Sequence, residues 1–217
     1  KMIVRKWMSE DPIVIDENAS LSEAINLLKQ YRIRRLPVLK KGKLIGIISD
    51  RDLKEASPSK ATSLDIWELH YLMSKIIVKS IMTKNPVTVS PDTTIERAAI
   101  LMFDNKIGGL PVIDKEGKLA GILTEQDVFK ALINITGARI AANRISIVIP
   151  DIPGSIKDVM DIMRNHDFKY NSILTTHEGV KEGFREVLIR FQAEEDAVEE
   201  ILAELKTRYE SVELTID

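Results

Sequence analysis

The feature that most constrains this chain is a stretch of sequence that occurs twice. Met8, Pro12, Leu36, Pro37, Val38, Gly42, Lys43, Leu44, Gly46 and Asp52 recur about 74 residues later as Met82, Pro86, Leu110, Pro111, Val112, Gly117, Lys118, Leu119, Gly121 and Asp127, with one extra residue, Glu116, in the second copy. A repeat of this length marks a structural unit that buries its apolar face against a neighbour of the same kind. Each copy opens with an extended stretch after proline, Ile13-Val14-Ile15 and Val87-Thr88-Val89. Leu21, Ala24, Ile25 and Leu28 then fall at i, i+3, i+4 and i+7, matched by Ile95, Ala98, Ala99 and Met102. That spacing predicts one apolar helical face, and Ser20 with Glu23 three residues on is a capping-box start. Two apolar runs, residues 36–39 and 44–48, flank the turn Lys40-Lys41-Gly42-Lys43 and predict a strand hairpin. A second helix begins near Asp50, so each copy reads β-α-β-β-α.

Residues 57–79 join the copies. Ser57-Pro58-Ser59 breaks the chain, and Ser63 is placed to cap a helix through Trp67, Leu69, Leu72 and Ile76. Its periodicity reads as a packing helix that covers an exposed sheet or a dimer face. Trp7 and Trp67 read as interface anchors rather than cofactor stackers.

The last strand of each copy ends in a hydroxyl and a carboxylate three residues apart, Ser49 and Asp52 in Gly46-Ile47-Ile48-Ser49-Asp50-Arg51-Asp52, and Thr124 and Asp127 in Gly121-Ile122-Leu123-Thr124-Glu125-Gln126-Asp127. At a helix start such a pair caps free backbone N–H groups. The same pair suits a ribose, whose adjacent hydroxyls donate to a carboxylate while the helix N-terminus attracts phosphate. The residues leave both readings open.

Composition narrows the function classes. The length fits one to two average domains or three small ones. A hydrophobic content of 44 % suffices for packed cores, and no apolar run approaches the roughly 20 residues of a membrane span. The N-terminus carries no charged-then-apolar leader, so a soluble cytoplasmic protein without membrane association is expected. The absence of cysteine excludes thiol catalysis, zinc–thiolate sites and disulfides. Residues 1–75 hold 14 Lys and Arg against 10 Asp and Glu, whereas residues 144–217 hold 9 against 16. Nucleic-acid binding calls for a basic face on a more basic domain and is not expected. An anionic small ligand near the N-terminal half is.

With the Pro-initiated first strand, the Leu-Pro-Val run and the Gly-x-x-Ser/Thr-x-x-Asp ending, the repeat resembles a tandem pair of CBS domains, a Bateman module. The resemblance implies an α+β fold in which two β-α-β-β-α domains pack as a pair with two clefts that often hold adenosine derivatives. By that likeness Asp52 and Asp127 bind ribose hydroxyls, and Ser49 and Thr124 face phosphate or ribose. Each cleft is composite: the Asp52 site takes adenine walls from Met82, Val87 and Ile107, and the Asp127 site from Met8, Ile13 and Ile33. The implied ligand is AMP, ADP, ATP or S-adenosylmethionine, with no cofactor required. Copy one has Arg32, Arg34 and Arg35 where copy two has Lys106, Gly108 and Gly109. The alternative to a phosphate role for these arginines is a solvated basic edge. A charge-assisted hydrogen bond is worth about 1.5–3 kcal/mol, so the clefts are expected to be unequal. The expectation is that the Asp52 cleft, with Arg34 and Arg35, prefers a phosphorylated adenosine.

From Arg144 the pattern changes. Ile145, Ile147 and Ile149 alternate as a half-buried strand, and a turn at Asp151-Ile152-Pro153-Gly154-Ser155 leads to a helix with Ile156, Val159, Met160 and Met163 inward. Strand signals at residues 168–175 and at Val187, Ile189 and Phe191 precede a helix carrying Val198, Ile201, Leu202 and Leu205. A final strand alternates Val212, Leu214 and Ile216. The order is βαββαβ, a ferredoxin-like plan. With Asp-x-Pro-Gly before the first helix it resembles an ACT domain, a regulatory module that often binds amino acids at dimer interfaces. The likeness implies a site at Asp151, Gly154 and Ser155, with Asp151 pairing a ligand ammonium, although other family members carry Asn and His where this chain has none. The implied division is residues 2–60, 61–77, 78–136 and 143–217: first CBS domain, connecting helix, second CBS domain and ACT-like domain. The whole order resembles the acetoin-utilization AcuB family.

No catalytic constellation is visible. His70, His166 and His177 lack metal-ligand spacing, and neither phosphate-loop glycine motif is present. Three readings follow: a non-catalytic homodimeric regulator that senses adenosine nucleotides and acts on a protein partner; an adaptor dimer with empty clefts, or an amino-acid sensor through the C-terminal domain; and an enzyme subunit, which would need a catalytic constellation the sequence does not show.

Overall fold

The computed structural model describes residues 2–57 and 65–216, so Pro58, Ser59 and Ser63 of the linker lie outside the described residues, as do the side chains of Ile66, Leu69 and His70. The chain forms two compact units, residues 1–131 and 132–217.

In the first unit a short strand β1 (Ser9–Glu10) is followed by β2 (Ile15–Asp16), α1 (Leu21–Tyr31), the hairpin β3 (Arg35–Lys40) and β4 (Lys43–Ser49), and α2 (Asp50–Ala56). Ser20 caps α1 by accepting from the Glu23 backbone N–H at 3.2 Å, and Arg32 closes it in the left-handed conformation. Lys41 and Gly42 both have positive φ (47° and 79°), as the right-handed twist of a two-residue hairpin requires. After α3 (Ile66–Lys75), capped by Asp65, come α4 (Val78–Ile81), β5 (Thr83–Lys84), α5 (Ile95–Asn105), β6 (Gly109–Ile113), β7 (Leu119–Thr124) and α6 (Glu125–Thr136). The extra residue Glu116 is accommodated by Asp114, whose Oδ1 accepts from the backbone N–H groups of Glu116 and Lys118.

The packing units are not the two copies as written. Strand β1 pairs with β7 of copy two, and β5 pairs with β4 of copy one. Val4, Met2, Trp7 and Met8 join the core built by Leu110, Val112 and Leu123, while Val78, Ile76 and Met82 join that of Leu36, Val38 and Ile48. The backbone repeats the exchange: Val4 N–H donates to Thr93 O, and Leu21 N–H to Ile76 O, both at 2.8 Å. Each copy is thus closed by the segment preceding the other, which yields sheets β2-β3-β4-β5 and β1-β7-β6. Trp7 is a core-packing residue of copy two. Trp67, on a helix that packs against α1, is 83 % exposed.

The second unit continues from the end of α6 with β8 (Asn143–Pro150), α7 (Ser155–Met163), β9 (Lys169–Thr176), β10 (Phe184–Gln192), α8 (Glu195–Arg208) and β11 (Val212–Ile216). The antiparallel sheet has the order β11-β8-β10-β9. Ile145, Ile147, Ile149, Val187, Ile189 and Phe191 are fully buried under Val159, Met163, Ile201 and Leu205 of the two helices. The alternation expected of the last strand stops short, because Ile216 is exposed.

Candidate functional site

Both hydroxyl–carboxylate pairs form at the ends of their strands. Ser49 donates from its hydroxyl and its backbone N–H to Asp52 Oδ2, each at 2.7 Å, and its Oγ accepts from Asp52 N–H. Thr124 donates to Asp127 Oδ2 from Oγ1 at 2.7 Å and from its backbone at 2.9 Å. Capping and ligand binding do not compete for one atom: a single carboxylate oxygen is used, and no hydrogen bond to Oδ1 of either aspartate is found among the described residues. Lys130 Nζ lies 3.6 Å from Asp127 Oδ1. Lys130 was not singled out from the sequence, although its place one turn beyond Asp127 on the same helix is the signal that marks it.

Around Asp127 a cleft of about 370 Å³ opens, within the range of small-molecule sites. Thr124 and Asp127 of copy two line it together with Ile13, Ile33, Arg34 and Arg35 of copy one, and with Arg32 and Lys130. Six of the residues expected at the two clefts therefore meet at one. Arg34, expected at the Asp52 cleft, lines the Asp127 cleft. The loop between α1 and β3 crosses to the other copy, so the arginines travel with the apolar walls and not with the carboxylate of their own copy. Glu10, Asp11 and Glu125 also line the cleft, which leaves its charge balanced overall and its cations concentrated on the copy-one side.

The arginines are not alike. Arg35 Nη1 donates to the carbonyl of Gly108 across the pair. Burial lowers its pKa, opposed by the nearby carboxylates of Glu125 and Asp50. A β-carbon on Gly109 would lie 2.7 Å from Arg35 Cδ, so the glycines opposite make room for this side chain. Arg32 and Arg34 are exposed and form no ion pair among the described residues. Both line the Asp127 cleft.

Met8, expected at the Asp127 cleft, does not line it, and neither do Met82, Val87 and Ile107, which were expected at the Asp52 cleft. Met8 packs on the copy-two core with its Sδ against Gly121, and Met82 packs on the copy-one core against Gly46. Val87 and Ile107 are half-buried against the copy-two core. These residues, with Ser49 and Asp52, are not drawn into the Asp127 cleft.

In the C-terminal unit the turn before α7 places Asp151, Gly154 and Ser155 along one shallow depression. Arg185 donates to Asp151 Oδ1, and His177 Nε2 lies 2.9 Å from Oδ2. Ser155 Oγ donates to Ile152 O at 2.9 Å. The Asp151 carboxylate is thus engaged on both oxygens by its own chain. His166 bridges Glu200 and Glu204 of α8 at 3.2 and 3.1 Å, a packing role.

Comparison with known proteins decides the family. The CBS domain pattern matches residues 4–59 and 78–134. The chain belongs to the CBS domain family. A CBS domain-containing protein of Dictyostelium discoideum is 37 % identical over 142 residues, which cover 62 % of this chain and 94 % of that protein. Among solved structures, CBSX2 of Arabidopsis thaliana in complex with AMP is 34 % identical with a TM-score of 0.51, covering 62 % of this chain and 98 % of that one. The CBS domain pair of protein MJ0100, in complex with 5'-methylthioadenosine and S-adenosyl-L-methionine, is 30 % identical with a TM-score of 0.50 over 60 % of this chain and 98 % of that one. The structure of a Vibrio cholerae protein that carries the acetoin-utilization name AcuB is 29 % identical with a TM-score of 0.51 over 63 % of this chain and 94 % of that one. The family pattern ends at residue 134, before the C-terminal sheet. No helix among the described residues is long and apolar enough to cross a membrane.

Proposed function

We propose that the repeat is a non-catalytic regulatory module that binds an adenosine nucleotide, with the phosphorylated ligand in the Asp127 cleft. One observation carries this reading: a single cleft joins the Thr124–Asp127 start of α6 to the apolar walls and unpaired arginines of copy one. Asp127, held by Thr124 on one oxygen, offers the other to ribose hydroxyls. Ile13 and Ile33 supply apolar faces for adenine, and Arg34 with Arg32 faces phosphate. The AMP and S-adenosyl-L-methionine complexes of related CBS pairs support the adenosine class, and AMP, ADP, ATP and S-adenosylmethionine are the candidates. In this reading the ligand state passes to a second copy of the chain or to a regulated partner in the cytoplasm. The likeness to the Vibrio cholerae protein supports acetoin utilization as the setting. In the same reading the modules span residues 2–60, 61–77, 78–136 and 143–217. The C-terminal module is assigned to the ACT type with a dimerising rather than an amino-acid-sensing role, because Asp151 is already engaged by Arg185 and His177.

Titration calorimetry with AMP and adenosine tests the reading. The wild type should prefer AMP, and Asp127→Ala should lose both ligands. Losing one phosphate contact in Arg34→Ala should weaken AMP about ten- to hundredfold while leaving adenosine unchanged. Unchanged AMP affinity in Asp127→Ala would overturn the assignment. No binding of any candidate by the wild type would leave the adaptor reading in its place.

A further inference from the structure

The oxygen of Asp127 that Thr124 leaves free faces a cation. Lys130 Nζ stands 3.6 Å from Oδ1, within ion-pair range but beyond hydrogen-bond length. The two partners differ in how firmly they are held. The Asp127 side chain is 8 % exposed and that of Lys130 66 %. Thr124 fixes the carboxylate through Oδ2, whereas the ammonium rides on a flexible four-carbon stem with three rotatable donors. An ion pair with so exposed a partner is weak, so the contact breaks readily from the lysine side. Copy one carries the opposite charge at this place. Glu55 is the counterpart of Lys130. It pairs with Arg51 at 3.1 Å, and Asp52 forms no ion pair among the described residues. Lys130 is also the one cation that copy two contributes to the cleft wall, opposite Arg32, Arg34 and Arg35 of copy one.

We propose that Lys130 is a displaceable counter-ion of Asp127 that makes this cleft select a phosphorylated nucleoside over the bare one. Ribose hydroxyls that donate to Asp127 Oδ1 take the place the ammonium holds, so every nucleoside that binds there must displace Lys130. A neutral ligand breaks the pair and returns nothing for it. A phosphate gives the freed ammonium a new partner, whose oxygens accept charge-assisted hydrogen bonds. One residue therefore opposes adenosine and favours AMP, an effect that Glu55 cannot reproduce at the Asp52 end. The inference rests on the nucleotide reading of the Asp127 cleft and adds to it a residue that sets phosphate selectivity.

Titration calorimetry of Lys130→Met with AMP and adenosine tests the proposal. Methionine keeps an unbranched apolar stem and removes the charge. AMP should weaken about tenfold, the loss of one charge-assisted contact. Adenosine should tighten about two- to fivefold, because its competitor for Asp127 is gone. Lys130→Arg should rescue AMP binding. Lys130→Glu, which writes the copy-one residue into copy two, should weaken AMP further than Lys130→Met does. Equal weakening of both ligands in Lys130→Met would overturn the selective role and assign the lysine to support of the helix start. Unchanged affinities for both in Lys130→Met, with both lost in Asp127→Ala, would overturn the role of Lys130 and leave the nucleotide reading standing. A wild type that binds neither ligand would remove the two together.

Discussion

Arg35 and Gly109 hold matching positions in the two copies, and the structure sets them face to face. The guanidinium reaches over Gly109 to the Gly108 carbonyl, so a side chain at position 109 and an arginine at position 35 cannot both keep these places. The contrast of Arg34-Arg35 with Gly108-Gly109 was visible in the sequence, where it read as two clefts of different charge. Its packing half was not legible, because nothing in a linear repeat says that equivalent positions meet. Of the arginine cluster, Arg32 and Arg34 stand exposed in the Asp127 cleft and Arg35 is a link between copies. Gly109→Ala should therefore destabilise the protein by about 1–3 kcal/mol, the cost of forcing atoms into a packed site. In urea denaturation, Gly109→Ala combined with Arg35→Ala should cost less than the two single changes added together, since neighbours that share a clash are not additive. Strict additivity would mean that the two residues do not oppose each other.

At the scale of elements, the recurrence of Met8 and Met82, and of Gly46 and Gly121, has a single cause. Each methionine precedes a short strand that closes the other copy, and its sulfur rests where the strand glycine has no β-carbon. The hairpins, both helices of each copy and the βαββαβ order were legible because each follows from local periodicity and turn residues. The exchange was not, because β1 and β5 are two residues long and gain their place from partners more than thirty positions away. Gly121→Ala separates these contributions. Its β-carbon would stand 2.7 Å from the Ser9 carbonyl and 2.8 Å from Met8 Sδ, which pushes β1 off β7. Amide hydrogen exchange should quicken in residues 4–10 and 119–124 and stay unchanged in the β3–β4 hairpin, as local opening confined to one packing unit requires. Equal acceleration in both hairpins would show that the exchanged strands are not separate supports.

For the whole molecule, the two compact units keep separate cores and opposite charge balances, basic at the start of the chain and acidic at its end. A ligand stabilises the native state that binds it by an amount set only by its concentration and affinity, about 2.7 kcal/mol at a hundred times Kd. If the nucleotide cleft is built wholly from residues 9–37 and 122–130, that gain belongs to the first unit. Hydrogen exchange of the full chain with and without saturating AMP should then show slower exchange in residues 32–37 and 122–130, with the β8–β11 sheet unaffected. Asp127→Ala should erase the difference, and Asp52→Ala should not. Protection of the C-terminal sheet by AMP would mean that ligand binding is coupled to the acidic unit directly. The regulatory output would then run through the single chain rather than through the pairing of two.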